Sequence, residues 1–171
     1  MNSLFQFAFS KRLLIPFCIL FVVLSGIANA QEKPPRPIGV TANMLQGLQF
    51  GAFCTGAIGG TVTVTSGGVR SSTGSIILVS LGYAFTPAMF QVTGNIGTLV
   101  TIANGTDVSM TGSNGGSLSL HLESASTGTP FIINTGTAMN VLIGGTLTVG
   151  VPGANPPGAY SGTFNVTFIQ Q

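Results

Sequence analysis

Residues Ile143 to Ile169, IGGTLTVGVPGANPPGAYSGTFNVTFI, decide the fold class. In the second half, Tyr160, Gly162, Phe164, Val166 and Phe168 fall on one face of an extended chain. Ser161, Thr163, Asn165 and Thr167 fall on the other. Strict alternation marks a strand with one buried and one wet face, whereas a helix would scatter these aromatics around its circumference. Pro156-Pro157-Gly158 sets a turn before it. Thr146-Leu147-Thr148-Val149 alternates as well, so the two runs are expected to pair as a long-looped hairpin. A hairpin alone is marginal in water and must pack on further strands.

The same pattern extends back through the chain. Thr61 to Thr65 carries its valines on one face, and Ser117 to Glu123 points Leu118, Leu120 and Leu122 inward. Ser75 to Leu81 (SIILVSL) is almost continuously apolar and reads as a central strand covered on both faces. Ile38 to Phe53 reads as a broken first strand bent at Gly47 and Gly51. Glycine-rich turns at Gly59-Gly60, Ser66-Gly67-Gly68 and Ser113-Asn114-Gly115-Gly116 punctuate the rest. Asn104-Gly105 is a hairpin signal. The sum is about eight to ten short strands with turns roughly every 8–12 residues, the pattern of an all-β antiparallel sandwich.

The chain opens differently. Lys11 and Arg12, an apolar run from Leu13 to Leu24, and Ala28-Asn29-Ala30 form the three regions of a signal peptide. The run is shorter than the roughly 20 residues of a spanning helix. Cleavage after Ala30 is expected to leave Gln31 as the first residue, with Ala28 and Ala30 at the small positions of the site and no membrane span. A proline-rich arm, Gln31 to Pro37 (QEKPPRP), then leads into one domain over residues 38–171. Export to the periplasm, cell surface or medium follows from this reading.

The formal charge of +2 shrinks once the leader is gone. Lys33, Arg36 and Arg70 then balance Glu32, Asp107 and Glu123. Without a basic patch, nucleic-acid binding lacks its electrostatic basis. A surface of Thr, Ser, Asn and Gly with so few charges suits an assembled or wall-associated protein. With Cys18 in the leader, Cys54 stands alone in the mature chain. It is expected as a small buried apolar residue, as free cysteines usually are.

No catalytic residue, metal ligand or cofactor site is read from the chain, and an enzyme is not expected. Ser119, His121 and Glu123 look like a nucleophile, base and orienter on paper. Alternate strand residues lie about 6.5–7 Å apart, too far for a triad. Arg70 is expected to cap a turn rather than bind a carboxylate. Tyr83, Phe85 and Tyr160 are expected in the core, an exposed sugar-binding shelf being the alternative.

Leu48-Gln49-Phe50-Gly51, Gly60-Thr61-Val62-Thr63-Val64, Phe90-Gln91-Val92-Thr93-Gly94, Gly144 to Val149 and Gly158-Ala159-Tyr160-Ser161-Gly162-Thr163-Phe164 follow one another in an order that resembles the bacterial secreted family catalogued as domain of unknown function 4402. That family is similar to pilin-like and spore-coat-U-like subunits of chaperone–usher systems. The resemblance implies an immunoglobulin-like sandwich whose open sheet edge is completed by a strand from a periplasmic chaperone or another subunit. Tyr160, Gly162, Phe164, Val166 and Phe168 are the candidate assembly strand. Gly158 stands where such subunits carry a glycine. The arm Gln31 to Pro37 has no alternating apolar run and makes a poor donor strand. The functional expectation is a non-enzymatic fimbria-like structural or adhesive subunit, self-assembling or joined to other surface subunits. A free-standing binding module, for example for glycans, is the alternative, and a small outer-membrane barrel is less favoured.

Overall fold

Met139–Val149, eleven residues long, is the strand on which the domain is built. In the computed structural model, residues 36–43 and 46–171 are described. The expected cleavage residues Ala28, Ala30 and Gln31, and most of the proline-rich arm, lie outside them.

The described strands, in chain order, are β1 (Gly39–Ala42), β2 (Gln49–Phe50), β3 (Ala52–Thr55), β4 (Gly60–Val64), β5 (Arg70–Ser72), β6 (Ile76–Val79), β7 (Phe85–Thr86), β8 (Ala88–Thr93), β9 (Leu99–Asn104), β10 (Val108–Gly112), β11 (Ser117–Ala125), β12 (Phe131–Ile132), β13 (Met139–Val149), β14 (Tyr160–Ser161) and β15 (Val166–Gln170). Every pairing between them is antiparallel. The all-β antiparallel sandwich read from the sequence is therefore the fold.

The large first sheet runs β1-β8-β13-β11-β10-β14, with β4 and β5 branching from β13. The branch arises inside β13. Met139–Ile143 pairs with β8, and Gly145–Val149 pairs with β4, so the partner changes at Gly144. A Cβ on Gly144 would lie 2.2 Å from the carbonyl oxygen of Val64. Glycine lets the turn after β4 close against β13, which is what splits the sheet.

The core sits on one face of this sheet. Val62, Val64, Val141 and Ile143 have no exposed surface, and Leu118, Leu120, Leu122, Leu147 and Val149 are buried beside them. Each such side chain contributes about 1.5–3 kcal/mol relative to exposure. The opposite face is laced by hydroxyls. Thr63 and Thr146 stand opposite each other in register with Oγ1 atoms 2.7 Å apart. Thr61 and Thr73 are linked in the same way at 2.7 Å. The Thr-Val alternation thus serves both faces at once, stiff β-branched chains inward and cross-strand hydrogen bonds outward.

Over the core lies a second layer made of separate small sheets: β12-β9-β15, β2-β7 and β3-β6. Val100, Ile102 and Phe131 enter the core from the first of these, and Phe50 and Ile76 from the other two. The Phe90 and Phe168 rings meet across the layers with centroids 5.5 Å apart.

Several strand assignments differ from the sequence reading. Ser75 to Leu81 is not a central strand. Its β6 pairs only with β3, Ile77 is 65% exposed and Leu81 69% exposed. The central role falls to β13, whose glycines and threonines hide it from a search for apolar runs. Thr146–Val149 pairs with β11 and β4, not with the closing run. Asn104-Gly105 joins strands of different sheets rather than a hairpin. The closing run itself is two strands: β14 pairs with β10 in the first sheet, and β15 pairs with β9 in the second. Residues 162–165 carry the chain between layers, and Gly162 sits against Met110 where a Cβ would be 3.1 Å from its Cγ. Alternation survives the crossing, so the sequence pattern does not register it.

Candidate functional site

The second layer leaves a cleft against the core, whose floor side chains Leu118, Leu147 and Val149 are themselves buried. This cleft, of about 760 Å³, lies over Met110, Leu118, Leu147 and Val149. One wall is the chain from Leu48 through Thr55, every residue of which borders the cleft. Only alternate residues of a strand can share a face, so the four consecutive lining residues of β3 mean that this strand presents its edge. The other wall is Pro152 and the segment from Asn155 to Tyr160. Ligand pockets of about 300–1,000 Å³ are the usual size class. Among the described residues, no Asp, Glu, Lys, Arg or His lines this one.

Each wall has its own support. Asn155 is buried, accepts from the Gly150 N–H and donates Nδ2 to the Ser117 carbonyl at 2.6 Å. This amide fixes the loop after β13 against β11. The Tyr160 hydroxyl donates to the Pro156 carbonyl at 2.7 Å, which holds the ring over the prolines. On the opposite wall Arg70 is the clamp. From β5 its guanidinium donates to the carbonyls of Phe50 (3.0 Å), Ala52 (3.3 Å) and Val79 (3.4 Å). It also stacks on the Phe85 ring, 4.6 Å from its centroid. Arg70 therefore ties β2, β3, β6 and β7 to the first sheet, a larger role than the expected turn cap. Gly51, at φ 68°, makes room for it, since a Cβ there would overlap Nη1.

Among the described residues, β3 and β15 of the second layer each have a free edge, as do β2, β6, β7 and β12. The Gly56 N–H donates to Ser75 O, which sets the phase of the β3-β6 ladder. Ala52 and Cys54 then direct their backbone groups to β6, and Phe53 and Thr55 direct theirs away from it. At the closing strand, Gly105 N–H donates to Asn165 O and Gln171 N–H to Leu99 O. By the same alternation, Val166, Phe168 and Gln170 turn their N–H and C=O away from β9, where no other strand pairs with β15. Their side chains, with those of Tyr160 and Phe164, are only half-buried. Gly162, the remaining member of the expected assembly face, is exposed in the crossing between layers.

The polar groups that alternate on β11 are separated as expected. Asp107 stands opposite His121, and their Oδ1 and Nδ1 atoms lie 2.7 Å apart. The hydrogen bond to Asp107 raises the His121 pKa above its ordinary value, and the negative charges of Asp107 and Glu123 add to that. Glu123 instead accepts from the Thr146 hydroxyl at 2.7 Å. Ser119 lies opposite Thr148. His121 is thus paired away from both Ser119 and Glu123.

Two expectations are corrected at the mouth of the cleft. Cys54 is exposed, not buried. It lies on the outer face of the β3-β6 pair opposite Ile77, itself 65% exposed, while Phe53 and Leu78 take the inner face. The alternation that turns its neighbours Phe53 and Thr55 to the inner face turns Cys54 outward. Tyr83 is 71% exposed and Phe85 42% exposed, so neither is a core residue.

Reading residues 48–55 as a cleft wall was beyond the periodicity argument, which treats them as part of one broken strand. The available signal was chemical: residues 38–69 contain no charge at all. No curated protein and no solved structure matches the chain. The family model described as domain of unknown function (DUF4402) matches residues 38–169, nearly all of the described sandwich, and the chain belongs to that family.

Proposed function

We propose that the protein is an exported, non-enzymatic surface subunit of fimbria-like type, built to receive an extended strand from another chain. The observation that carries this reading is the open second layer. An uncharged cleft over buried core residues is bordered by the edge of β3, and β15 has a second unpaired edge. Extended peptides bind at such edges through main-chain hydrogen bonds, with alternate side chains filling pockets beneath. Exposed edges are otherwise a liability that natural sheets blunt with charge or proline. Here Leu48 through Thr55 carries neither. A periplasmic chaperone and neighbouring surface subunits are the partners this chemistry fits.

The test uses native material sheared from the producing cells and resolved on a denaturing gel with and without boiling. A ladder that collapses to one band on boiling is the expected result. A single band at monomer mass without boiling refutes stable strand-linked assembly.

A second reading, a free-standing binding module, has its own support in the exposed ring of Tyr83, which lines the cleft. Exposed aromatic faces stack on sugar rings. Binding of the unassembled monomer to a panel of surface glycans, lost in Tyr83→Ser, would favour it. Equal binding by that variant would remove it.

A further inference from the structure

We infer that the strand this cleft receives comes from a different protein, and that it is an uncharged segment with aliphatic side chains at alternate positions. The inference rests on the strand-acceptor reading above and on cleavage after Ala30. Three observations lead to it.

The first is the lining. A charged side chain laid on Met110, Leu118, Leu147 and Val149 would lose its water with no opposite charge to replace it, because no lining residue among the described residues is charged. The occupant must be neutral where it faces the floor. The second is the edge. Phe53 and Thr55 offer backbone donors and acceptors along the wall, so the occupant needs free N–H groups of its own and an extended backbone that sends every other side chain downward.

The third is what this chain can supply to another copy of itself. Its arm, Gln31 to Pro37, holds Glu32, Lys33 and Arg36, and places proline at 34, 35 and 37. Proline has no N–H to add to a ladder, and the remaining positions bring charge rather than apolar alternation. The next residues are already engaged. Gly39–Ala42 pairs along its length with β8, and the Ile38 N–H donates to Gln170 Oε1 at 3.1 Å. A second copy's arm therefore meets neither requirement of the cleft. The chain accepts a strand without offering a matching one through its arm. It belongs at the end of an assembly, or in alternation with a second kind of subunit.

The experiment takes the exported protein, with its first residue confirmed as Gln31, and measures its melting temperature with three synthetic peptides. One is an uncharged peptide of alternating valine and threonine. The second has aspartate in place of each valine, and the third copies residues 31–42. The alternating peptide is expected to raise the melting temperature by roughly 8–10 °C at a hundredfold excess over its Kd. The other two are expected to leave it unchanged, and the protein alone to stay monomeric. Met110→Glu, which places a charge in the floor, should abolish the rise. Ala159→Asp, at an exposed wall position, does the same without touching the core and covers the case in which Met110→Glu fails to fold.

A rise with the 31–42 peptide, or boil-sensitive oligomers of the purified protein that vanish on deleting residues 31–37, would overturn the inference and make a second copy the donor. The acceptor reading would survive that result. No rise with any peptide would overturn both.

Discussion

Replacing Arg70 by methionine should loosen one whole wall of the cleft. The side chain holds three carbonyls from three strands, β2, β3 and β6, at 3.0, 3.3 and 3.4 Å, and stacks on Phe85 at 4.6 Å. A hydrogen bond from a charged donor contributes about 1.5–3 kcal/mol, but only the bond to Phe50 is near the optimal distance. The two longer ones add fractions of that, and a partly exposed cation–π contact adds about 0.5–1 kcal/mol. Methionine recovers some of the loss by burying its stem against the same ring. The net expectation is a loss of about 2–3 kcal/mol in unfolding free energy. Urea denaturation followed by far-ultraviolet circular dichroism measures it. Arg70→Lys should recover little, since one ammonium cannot span three carbonyls in a fixed fork. The reasoning also requires the effect to couple to Phe85: the double variant with Phe85→Leu should lose less than the sum of the two single variants. A loss under about 0.5 kcal/mol, the range of ordinary surface substitutions, would show that β2 and β3 are held by packing alone.

Other perturbations test separate parts of the structure. Gly144→Ala should cost about 2–4 kcal/mol, because the new methyl meets the backbone of Val64, Thr65 and Ser66, whereas Gly145→Ala should cost about 1–2 kcal/mol, since its closest obstacle is the flexible end of Leu48. Equal costs in thermal melts would contradict the partner switch at Gly144. His121→Gln should cost under about 1 kcal/mol, as expected for an exposed pair. Because folding raises the histidine pKa, that stabilisation is complete below about pH 6.5 and disappears as pH rises through the folded value. A penalty that instead grew toward pH 9 would refute the pairing with Asp107. Cys54 should react with a maleimide in the native protein at close to the rate seen in denaturant, and Cys54→Ser should change stability by less than about 0.5 kcal/mol. Protection of the thiol in the folded monomer would place β3 differently.

The fold class was legible because it depends on a period of two, and that period is plain in Thr61 to Thr65, Ser117 to Glu123 and the C-terminal run. Val62 and Val64, and Leu118, Leu120 and Leu122, are buried as alternation requires. Partner choice was much less legible. Asn104-Gly105 has the composition of a hairpin turn, yet the strands it joins pair elsewhere, because β9 gains more by covering the core from the second layer. The run from Tyr160 to Phe168 keeps its alternation while passing from one sheet to the other, and only Gly162 marks the place. The run Ser75 to Leu81 misled for the converse reason. Apolar residues on both faces of β6 meant one face on the core and one on the surface, where Ile77 is exposed, as is Leu81 beyond the strand. Burial on two sides and exposure of an apolar face give the same sequence pattern.

That exposure bears on the function. Water-facing apolar side chains in a nearly neutral chain are unfavourable for a free monomer. Ile77, Leu81, Tyr83 and Phe85 are exposed, and Tyr83 also lines the cleft whose floor includes Leu118 and Leu147. A single strand laid against the β3 edge would remove much of the cleft lining from water at about 25 cal/mol per Å². It would also pair the outward backbone groups of Phe53 and Thr55. The gain is available only to a partner that is itself extended and uncharged. If the cleft accepts a strand as proposed, the absence of charge from residues 38–69 is the feature that would make it selective.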